Sequence, residues 1–128
     1  MNVYFEEGID PKSIDIAVMY DDIADSCGTM INCARALKNL GIPKVIGVAT
    51  HPVFSGNAIA KLAEEDLEII VSNTIPLPNT PIHVHVVDIS KILGVTLHSV
   101  TTGHGSLSKD IFEPRKYREL ERLLSTAE

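Results

Sequence analysis

One stretch, residues 14–40, constrains the fold of this chain most, because its pattern passes from strand to loop to helix without a break. Residues 14–20 are almost all apolar, as is typical of a strand that is covered on both faces in a parallel sheet. Residues 30–39 carry apolar side chains at helical spacing, and Gly41 followed by Pro43 is a common helix stop. The stretch therefore predicts a strand and a helix that are joined by a short polar segment.

The polar segment contains residue types that suit a phosphate and a sugar diol. Two adjacent carboxylates can accept hydrogen bonds from vicinal hydroxyls or hold a divalent cation. Small residues let backbone N–H groups approach an anion, and the helix start adds partial positive charge. The same residue types also suit an ordinary helix entrance, so the pattern alone leaves a pentose phosphate site and a plain joint both open. The residues concerned are Asp21 and Asp22, then Asp25, Ser26, Cys27, Gly28 and Thr29.

Strand and helix patterns continue to alternate along the chain. Strands are predicted over residues 44–49, 67–72 and 82–87, and helices from about Gly56, after Ser55 as N-cap, and from Ser90, as N-cap, to about Leu97. The proline-rich residues 73–81 are predicted to form a loop. Strands that alternate with helices imply parallel pairing, and ligands in such sheets bind outside the carboxyl ends of the strands. The predicted fold class is α/β, with a mostly parallel sheet flanked by helices.

The segment DDIADSCGT, residues 21–29, closely resembles the phosphoribosyl-pyrophosphate motif of type I phosphoribosyltransferases and, more narrowly, of ribose-phosphate pyrophosphokinases. Cys27 stands where the common form has its first glycine, and Ser26 keeps the hydroxyl of the usual threonine. Three further segments resemble the pyrophosphokinases in the same order along the chain, and the first of them is specific to that family: residues 49–58, 72–76 and 86–90.

The resemblance implies a partial phosphoribosyltransferase-type fold that corresponds to the C-terminal part of a pyrophosphokinase. Residues 1–128 are accordingly predicted to form a single domain. From Gly94 onward the chain departs from the family, because the arginine pair that is usual there is missing. Residues 113–127 carry an apolar stripe at helical spacing and are predicted to form an appended C-terminal helix.

The resemblance also implies roles for individual residues. Asp21 and Asp22 match the acidic pair that holds the ribose hydroxyls, and they would hold Mg²⁺ through the substrate. The five residues Asp25, Ser26, Cys27, Gly28 and Thr29 match the loop that wraps the 5-phosphate. Asp25 is expected either to hydrogen-bond the backbone of its own loop or to act as a base toward the anomeric oxygen in relatives. No residue is assigned a catalytic role.

A second group of polar residues follows the second predicted strand. His51 stands where binding loops occur, and it is predicted either to contact a phosphate or nucleotide or to cap its local turn. Ser55, Gly56 and Asn57 open the next helix and form a second possible anion site. His83 and His85 share one face of a strand, which permits zinc binding, but a plain polar strand face is the favoured interpretation.

The implied function is that of a ribose-phosphate diphosphokinase domain in nucleotide precursor biosynthesis, which binds ribose 5-phosphate or phosphoribosyl pyrophosphate. In that reaction the C1 hydroxyl of ribose 5-phosphate attacks the β-phosphorus of ATP. The family's ATP-binding half and pyrophosphate loop have no counterpart in this sequence, so we expect the chain to be incomplete as a catalyst alone, with ATP as co-substrate only if the missing half is supplied. A regulatory homologue that associates with the full-length enzyme is the first alternative, and a minimal phosphoribosyltransferase is the second.

Composition narrows the partners and the compartment. The formal net charge of −6 argues against nucleic-acid binding, which usually needs a basic face. The sequence contains no apolar run long enough to cross a bilayer and no evident signal peptide. Cys27 and Cys33 are predicted to be reduced thiols in a cytoplasmic protein, and Cys27 is more plausibly a small loop residue than a reactive thiol. Expected partners are a second copy of the chain, or a full-length or complementary subunit.

Overall fold

The structure, a computed structural model, describes residues 3–103. Contacts divide the chain into two compact units at Asp88 and Ile89. The described part of the first unit, residues 3–88, contains the sheet and two α-helices, and that of the second contains one α-helix. The predicted appended helix over residues 113–127 lies outside the described residues.

The first unit is built on a four-stranded parallel sheet in which the strand order follows the chain, β1-β2-β3-β4. Its elements are a 3-10 turn at Pro11–Ser13, β1 at Ile16–Ala24, α1 at Gly28–Asn39, β2 at Lys44–Pro52, α2 at Ala58–Glu64, β3 at Glu68–Ser72 and β4 at Val84–Val87. The predicted α/β class with a parallel sheet flanked by helices is confirmed.

The core of the first unit lies between α1, α2 and one face of the sheet. Helix α1 packs against β1 and β2 and buries one stripe of side chains, those of Met30, Ile31, Ala34 and Leu37. Along β2, alternate residues face this core, and Val45, Gly47 and Ala49 are buried. Because one face of each strand packs on this core, the register of β1 with β2 is fixed, and it aligns Asp21 with Ala49 and Ile23 with His51.

Both strands that lead to the candidate site are longer than predicted. The strand β1 runs on to Ala24, so Asp21 and Asp22 lie inside the strand and not in a loop after it. The strand β2 runs on to Pro52, so His51 also belongs to a strand. Backbone pairing continues past the apolar run because it depends on the register of the neighbouring strand and not on side-chain polarity.

The prediction that β1 is covered on both faces is wrong for the described part of the chain. Ile16, Val18 and Tyr20 alternate along one face of the strand and are exposed. The strand β1 is also the first of the four described strands, with β2 as its only neighbour among residues 3–103. A continuous apolar run cannot distinguish a strand with two covered faces from one with an exposed apolar face.

Two predicted helix caps are also corrected. Helix α2 has Asn57 at its N-cap, where no side chain makes a capping bond, and Ser55 contributes only its carbonyl oxygen, which accepts the N–H of Ala58 at 3.2 Å. The helix of the second unit, α3, spans Ser90–Thr102, so Ser90 is its first residue and not its cap.

Helix α3 also extends past the predicted end near Leu97. The hydroxyl of Thr96 donates to the carbonyl of Ile92 at 2.8 Å, and that of Thr101 donates to the carbonyl of Leu97 at 2.8 Å. These bonds satisfy the threonine hydroxyls within the helix, so the threonines continue it. The helix ends at Gly103, whose φ of +66° is left-handed. None of the helices within residues 3–103 is both long and apolar enough to cross a bilayer.

Candidate binding site at the carboxyl ends of β1 and β2

A small cleft lies where β1 ends and α1 begins. Its volume is about 140 Å³, and it is lined by Asp21 and residues 23–30. All five residues of the predicted phosphate loop, Asp25 to Thr29, therefore line one cleft together with Asp21, whereas Asp22 is not part of the lining. Complete ligand pockets are usually larger, at roughly 300–1,000 Å³. The cleft accordingly suits one part of a ligand, such as a phosphate group.

The entrance of α1 turns the backbone toward this cleft. Cys27, the N-cap residue, has a left-handed backbone with φ +57°. Its carbonyl accepts the N–H of Ile31 at 2.9 Å, which is the first bond of the helix. The N–H groups of Gly28, Thr29 and Met30 precede that bond, so they are the donors that a helix start leaves available for an anion. The position that takes a glycine in the common motif is thus the one that needs a left-handed backbone.

The two adjacent carboxylates point to opposite faces of β1, because consecutive strand residues alternate. Oδ1 of Asp21 accepts the backbone N–H of Asp22 at 2.9 Å, and both residues are exposed. One bare cation cannot be chelated by two side chains on opposite faces of a strand. Within residues 3–103, no group of three or more His, Cys, Asp or Glu residues is arranged to hold a metal ion.

The electrostatics of the loop combine carboxylates at the cleft with one lysine from α2. Burial raises the pKa of the Cys27 thiol, the neighbouring Asp25 carboxylate raises it further, and Lys61 of α2 lowers it. A helix start could have lowered this pKa, so the structure favours the small loop residue over the reactive thiol. Both cysteines are free thiols. Asp25 makes no side-chain hydrogen bond to its own loop among the described residues, so the first of its two expected roles is not found.

Lys61 belongs to a second, larger groove between α1 and α2. This groove has a volume of about 280 Å³ and also contains Gly28, so the two clefts meet at the start of α1. Arg35 in the same groove forms an ion pair with Glu65, and Lys38 donates to the carbonyl of Glu65 at 3.0 Å. Lys61 is therefore a cation near the loop that sequence reasoning missed, since only the packing of α2 on α1 brings it there.

His51 is held by residues from the end of β3. Its Nδ1 lies 2.9 Å from Oγ1 of Thr74, and the hydroxyls of Thr74 and Ser72 both donate to the carbonyl of Thr50, at 3.1 Å and 2.6 Å. Ser72 is buried, with 8% of its surface exposed. The sequence contains no local signal for this cluster, because Thr74 and His51 meet only through the pairing of β2 with β3.

The remaining predicted site residues lie apart from this cluster. Ser55, Gly56 and Asn57 are exposed residues of the connection between β2 and α2, and none of them lines the cleft. His83 and His85 stand at the other end of the sheet. Nδ1 of His83 is 3.8 Å from Oδ1 of Asp66, and Nε2 of His85 is 3.9 Å from Oε2 of Glu68, so each histidine faces one carboxylate.

Three comparisons place these features among known proteins. The phosphoribosyl synthetase-associated domain family matches residues 11–112 of the chain. A ribose-phosphate pyrophosphokinase from Aquifex aeolicus is 36% identical over 89 residues, which are 68% of this chain and 29% of that protein. Another from Wolinella succinogenes is 37% identical over 84 residues, which are 65% of this chain and 27% of that protein.

A solved structure shares the fold. The crystal structure of phosphoribosylpyrophosphate synthetase from Mycobacterium smegmatis superposes with a TM-score of 0.67 at 33% identity, over 73% of this chain and 32% of that one. The chain therefore spans about a third, or less, of the length of the relatives that it matches.

Proposed function

This chain belongs to the phosphoribosyl synthetase-associated domain family, that of the ribose-phosphate pyrophosphokinases, and from that membership we propose that it binds ribose 5-phosphate or phosphoribosyl pyrophosphate in the cleft at the end of β1. The 5-phosphate would lie on the loop from Asp25 to Thr29 and the ribose hydroxyls would meet the carboxylate of Asp21, whereas Asp22, on the opposite face of β1, lies outside the cleft. This places the chain in phosphoribosyl pyrophosphate biosynthesis as a sugar-phosphate-binding domain.

The observation that carries this proposal is the shared cleft of Asp21 and the helix entrance. A carboxylate accepts hydrogen bonds from hydroxyls, whereas the N–H groups at a helix start donate to a phosphate. Asp21 and residues 25–29 line one volume of about 140 Å³, so the two kinds of group can contact one small molecule. A sugar that carries both a diol and a phosphate satisfies both.

Magnesium enters this proposal together with the substrate. The carboxylates of Asp21 and Asp22 lie on opposite faces of β1, so a resident ion held by both does not fit the strand. Mg²⁺ typically keeps several waters and uses one or two carboxylates together with substrate oxygens. One carboxylate, with Asp21 the nearer to the cleft, would therefore suffice beside a phosphorylated sugar.

The cleft supports binding better than it supports diphosphoryl transfer. Transfer of phosphoryl groups depends on cations that neutralise charge on the transferred group. Among residues 3–103, the lining of the cleft includes Asp21 and Asp25 but no lysine or arginine. We accordingly propose that ATP is used only when a full-length or complementary subunit supplies the cationic groups, and that the chain associates with such a subunit or with a second copy. The same acidic lining favours, as a second candidate, a regulatory homologue without turnover of its own.

Calorimetric titration of the full chain with ribose 5-phosphate and Mg²⁺ tests the proposal. We expect saturable binding that Asp21→Asn weakens roughly tenfold or more, as removal of a charged hydrogen-bond partner typically does, and that Asp22→Asn weakens less, because Asp22 does not line the cleft. Asp15→Asn is the matched control, because Asp15 is an exposed carboxylate just before β1 and distant from the cleft. Its affinity should equal that of the unaltered chain.

The outcomes separate the candidates. Absence of binding by a folded chain, or equal losses in all three variants, would contradict the ribose 5-phosphate site. Binding without turnover, combined with co-purification of a full-length pyrophosphokinase, would favour the regulatory homologue. Base-dependent release of pyrophosphate from phosphoribosyl pyrophosphate by the isolated chain would instead identify a minimal phosphoribosyltransferase.

A further inference from the structure

The hydroxyls of Ser72 and Thr74 connect His51 to the backbone of β2. Besides the two bonds to the carbonyl of Thr50, Oγ of Ser72 and Oγ1 of Thr74 lie 3.1 Å apart, and the backbone N–H of Thr74 donates to Oγ of Ser72 at 3.2 Å. His51 joins this cluster through Nδ1 alone. Each hydroxyl has one proton to donate, so the number of hydrogen bonds in the cluster depends on whether Nδ1 of His51 also carries a proton.

A count of these protons decides which ring nitrogen of His51 carries its hydrogen. A carbonyl oxygen only accepts, so the hydroxyl of Ser72, 2.6 Å from the Thr50 carbonyl, must donate to it. If the hydroxyl of Thr74 donates its single proton to the Thr50 carbonyl or to Oγ of Ser72, Nδ1 of His51 has to donate to Oγ1 of Thr74. If Thr74 donates to Nδ1 instead, its 3.1 Å contact with the Thr50 carbonyl has no proton, and one hydrogen bond is lost. The Nδ1–H form is therefore the favoured neutral tautomer.

Nε2 of His51 is left for another partner. It has no hydrogen-bond partner among residues 3–103, and no fully buried side-chain nitrogen or oxygen in that part of the chain is unpaired, so Nε2 retains contact with solvent. In the neutral Nδ1–H form, Nε2 carries a lone pair and accepts a hydrogen bond. It therefore suits a hydroxyl or another donor, whereas a phosphate oxygen offers it no proton.

The register of the sheet places His51 on the strand next to the candidate cleft, although His51 does not itself line the cleft. The Cα partner of His51 in β1 is Ile23, which lines the cleft, and neighbouring strands are about 4.8 Å apart. Asp21 stands two residues before Ile23 on the same face of β1. A sugar that bound at Asp21 would therefore lie next to the strand end that bears His51.

We infer that Thr74, supported by Ser72, is a positioning residue that keeps the proton of His51 on Nδ1, so that Nε2 accepts a hydrogen bond from a hydroxyl of the sugar phosphate in the cleft. The positioning role follows from this chain's own hydrogen bonds. The contact with a sugar hydroxyl rests on the proposed function, and it replaces the phosphate contact that the sequence suggested for His51.

Long-range ¹H–¹⁵N spectra of the imidazoles of the full chain at pH 8, where histidines are ordinarily neutral, test the tautomer directly. We expect a pyrrole-like Nδ1 and a pyridine-like Nε2 for His51, assigned by the signal that His51→Asn removes. Thr74→Val removes the hydroxyl at constant shape, and it should turn His51 into a mixture of tautomers. Thr74→Ser should restore the original pattern.

Signals of His83 and His85 at the other end of the sheet report whether each variant is folded, and they should not move. A proton on Nε2 in the unaltered chain would overturn the inference, as would a His51 signal that Thr74→Val leaves unchanged. If Thr74→Val does not fold, the tautomer in the unaltered chain still decides the matter.

Addition of ribose 5-phosphate tests the sugar contact, with inorganic phosphate as the control. We expect the sugar phosphate, but not phosphate, to shift the Nε2 signal as an acceptor does when it gains a hydrogen bond, and we expect Thr74→Val to weaken its affinity roughly three- to tenfold. Calorimetric binding without a change at Nε2 would overturn the sugar contact and leave the proposed function intact. Absence of calorimetric binding would overturn both, whereas the tautomer of the free chain would still decide the positioning role.

Discussion

Gly47 of β2 and Met30 of α1 are in such close contact that a side chain on Gly47 would displace that of Met30. A Cβ atom built on Gly47 would lie 2.5 Å from Sδ of Met30 and 3.3 Å from Cγ1 of Ile69. Real Cβ atoms essentially never come as near to another atom as the first of these distances. The side chain of Met30 at the start of α1 therefore packs against the Cα of Gly47, and it must shift if residue 47 gains a Cβ.

Gly47→Ala should lower the free energy of unfolding by about 1–3 kcal/mol, because overpacking forces neighbouring side chains from their preferred positions. Urea unfolding measures this loss. The additional loss should be smaller in a Met30→Ala background, where the side chain ends at Cβ and no atom occupies the position of Sδ. Gly94→Ala is the control, because a Cβ there meets nothing within 4 Å, and this variant should not be destabilised. Equal losses at Gly47 and Gly94 would contradict the close contact.

Substitutions of Cys27 should follow its left-handed backbone more than its burial. Cys27→Val keeps an apolar side chain of similar size, but a branched residue at φ +57° should cost roughly 2 kcal/mol or more of unfolding free energy. Cys27→Gly accepts this φ without strain and should remain within about 1 kcal/mol of the unaltered chain. Thermal or urea unfolding compares the two. A valine variant as stable as the glycine variant would show that residue 27 is not left-handed in solution.

The thiol of Cys27 should make stability depend on pH at the alkaline end. Burial, with Asp25 as the next contribution, raises the pKa of Cys27 above its value in the unfolded chain. The resulting stabilisation is complete below the unfolded pKa and is lost as the pH rises through the folded pKa. Between about pH 8 and about pH 10, the free energy of unfolding, measured with urea, should therefore fall more steeply for the unaltered chain than for Cys27→Ala.

Two neighbours of Cys27 tune that effect in opposite directions. Asp25→Asn removes a contribution that raises the thiol pKa, and Lys61→Met removes one that lowers it. At a fixed pH, alkylation of Cys27 in a Cys33→Ala background should thus be faster in the first variant and slower in the second. The same direction of change in both variants would contradict the placement of Lys61 near the loop.

The ion pair of Arg35 and Glu65 should make the stability of the protein depend on pH in the acidic range. The guanidinium of Arg35, mainly through its hydrogen bond, lowers the pKa of the Glu65 carboxyl. Stabilisation from a lowered pKa is present above the unfolded pKa and is lost as the pH falls through the folded pKa. With Arg35→Met, the free energy of unfolding should therefore decline less as the pH falls below the ordinary pKa range of carboxyl groups. The difference should be small, because the pair is largely in contact with solvent. Parallel pH curves for the two proteins would contradict a coupled pair.

Periodicity and motif context were sufficient for the elements that the site is built on. The helix after the loop, the parallel sheet and the grouping of Asp25 to Thr29 in one cleft all follow from local patterns, because a phosphate loop needs a strand, small residues and a helix in direct succession. The left-handed backbone of Cys27 was also within reach, since glycine is the common residue at that motif position.

Other features depend on contacts between distant residues. Thr74 lies in a proline-rich loop, where nothing local indicates that its hydroxyl meets His51. Lys61 reaches the loop only because α2 packs beside α1. The exposed face of Ile16, Val18 and Tyr20 was missed because an apolar strand has the same pattern whether its second face is covered or not. Such features need the tertiary arrangement, which a single sequence does not contain.

The strand order β1-β2-β3-β4 has a consequence for how this chain folds. Each strand after β1 pairs with the strand that precedes it in the chain, so each pairing closes a chain loop that contains only one connection. Short loops lower the contact order, and a lower contact order favours faster folding. The cleft is lined by β1 and the start of α1, and His51 belongs to the strand that comes next. The candidate loop and the strand that bears His51 therefore depend on pairing between consecutive segments of the chain and not on pairing with β4.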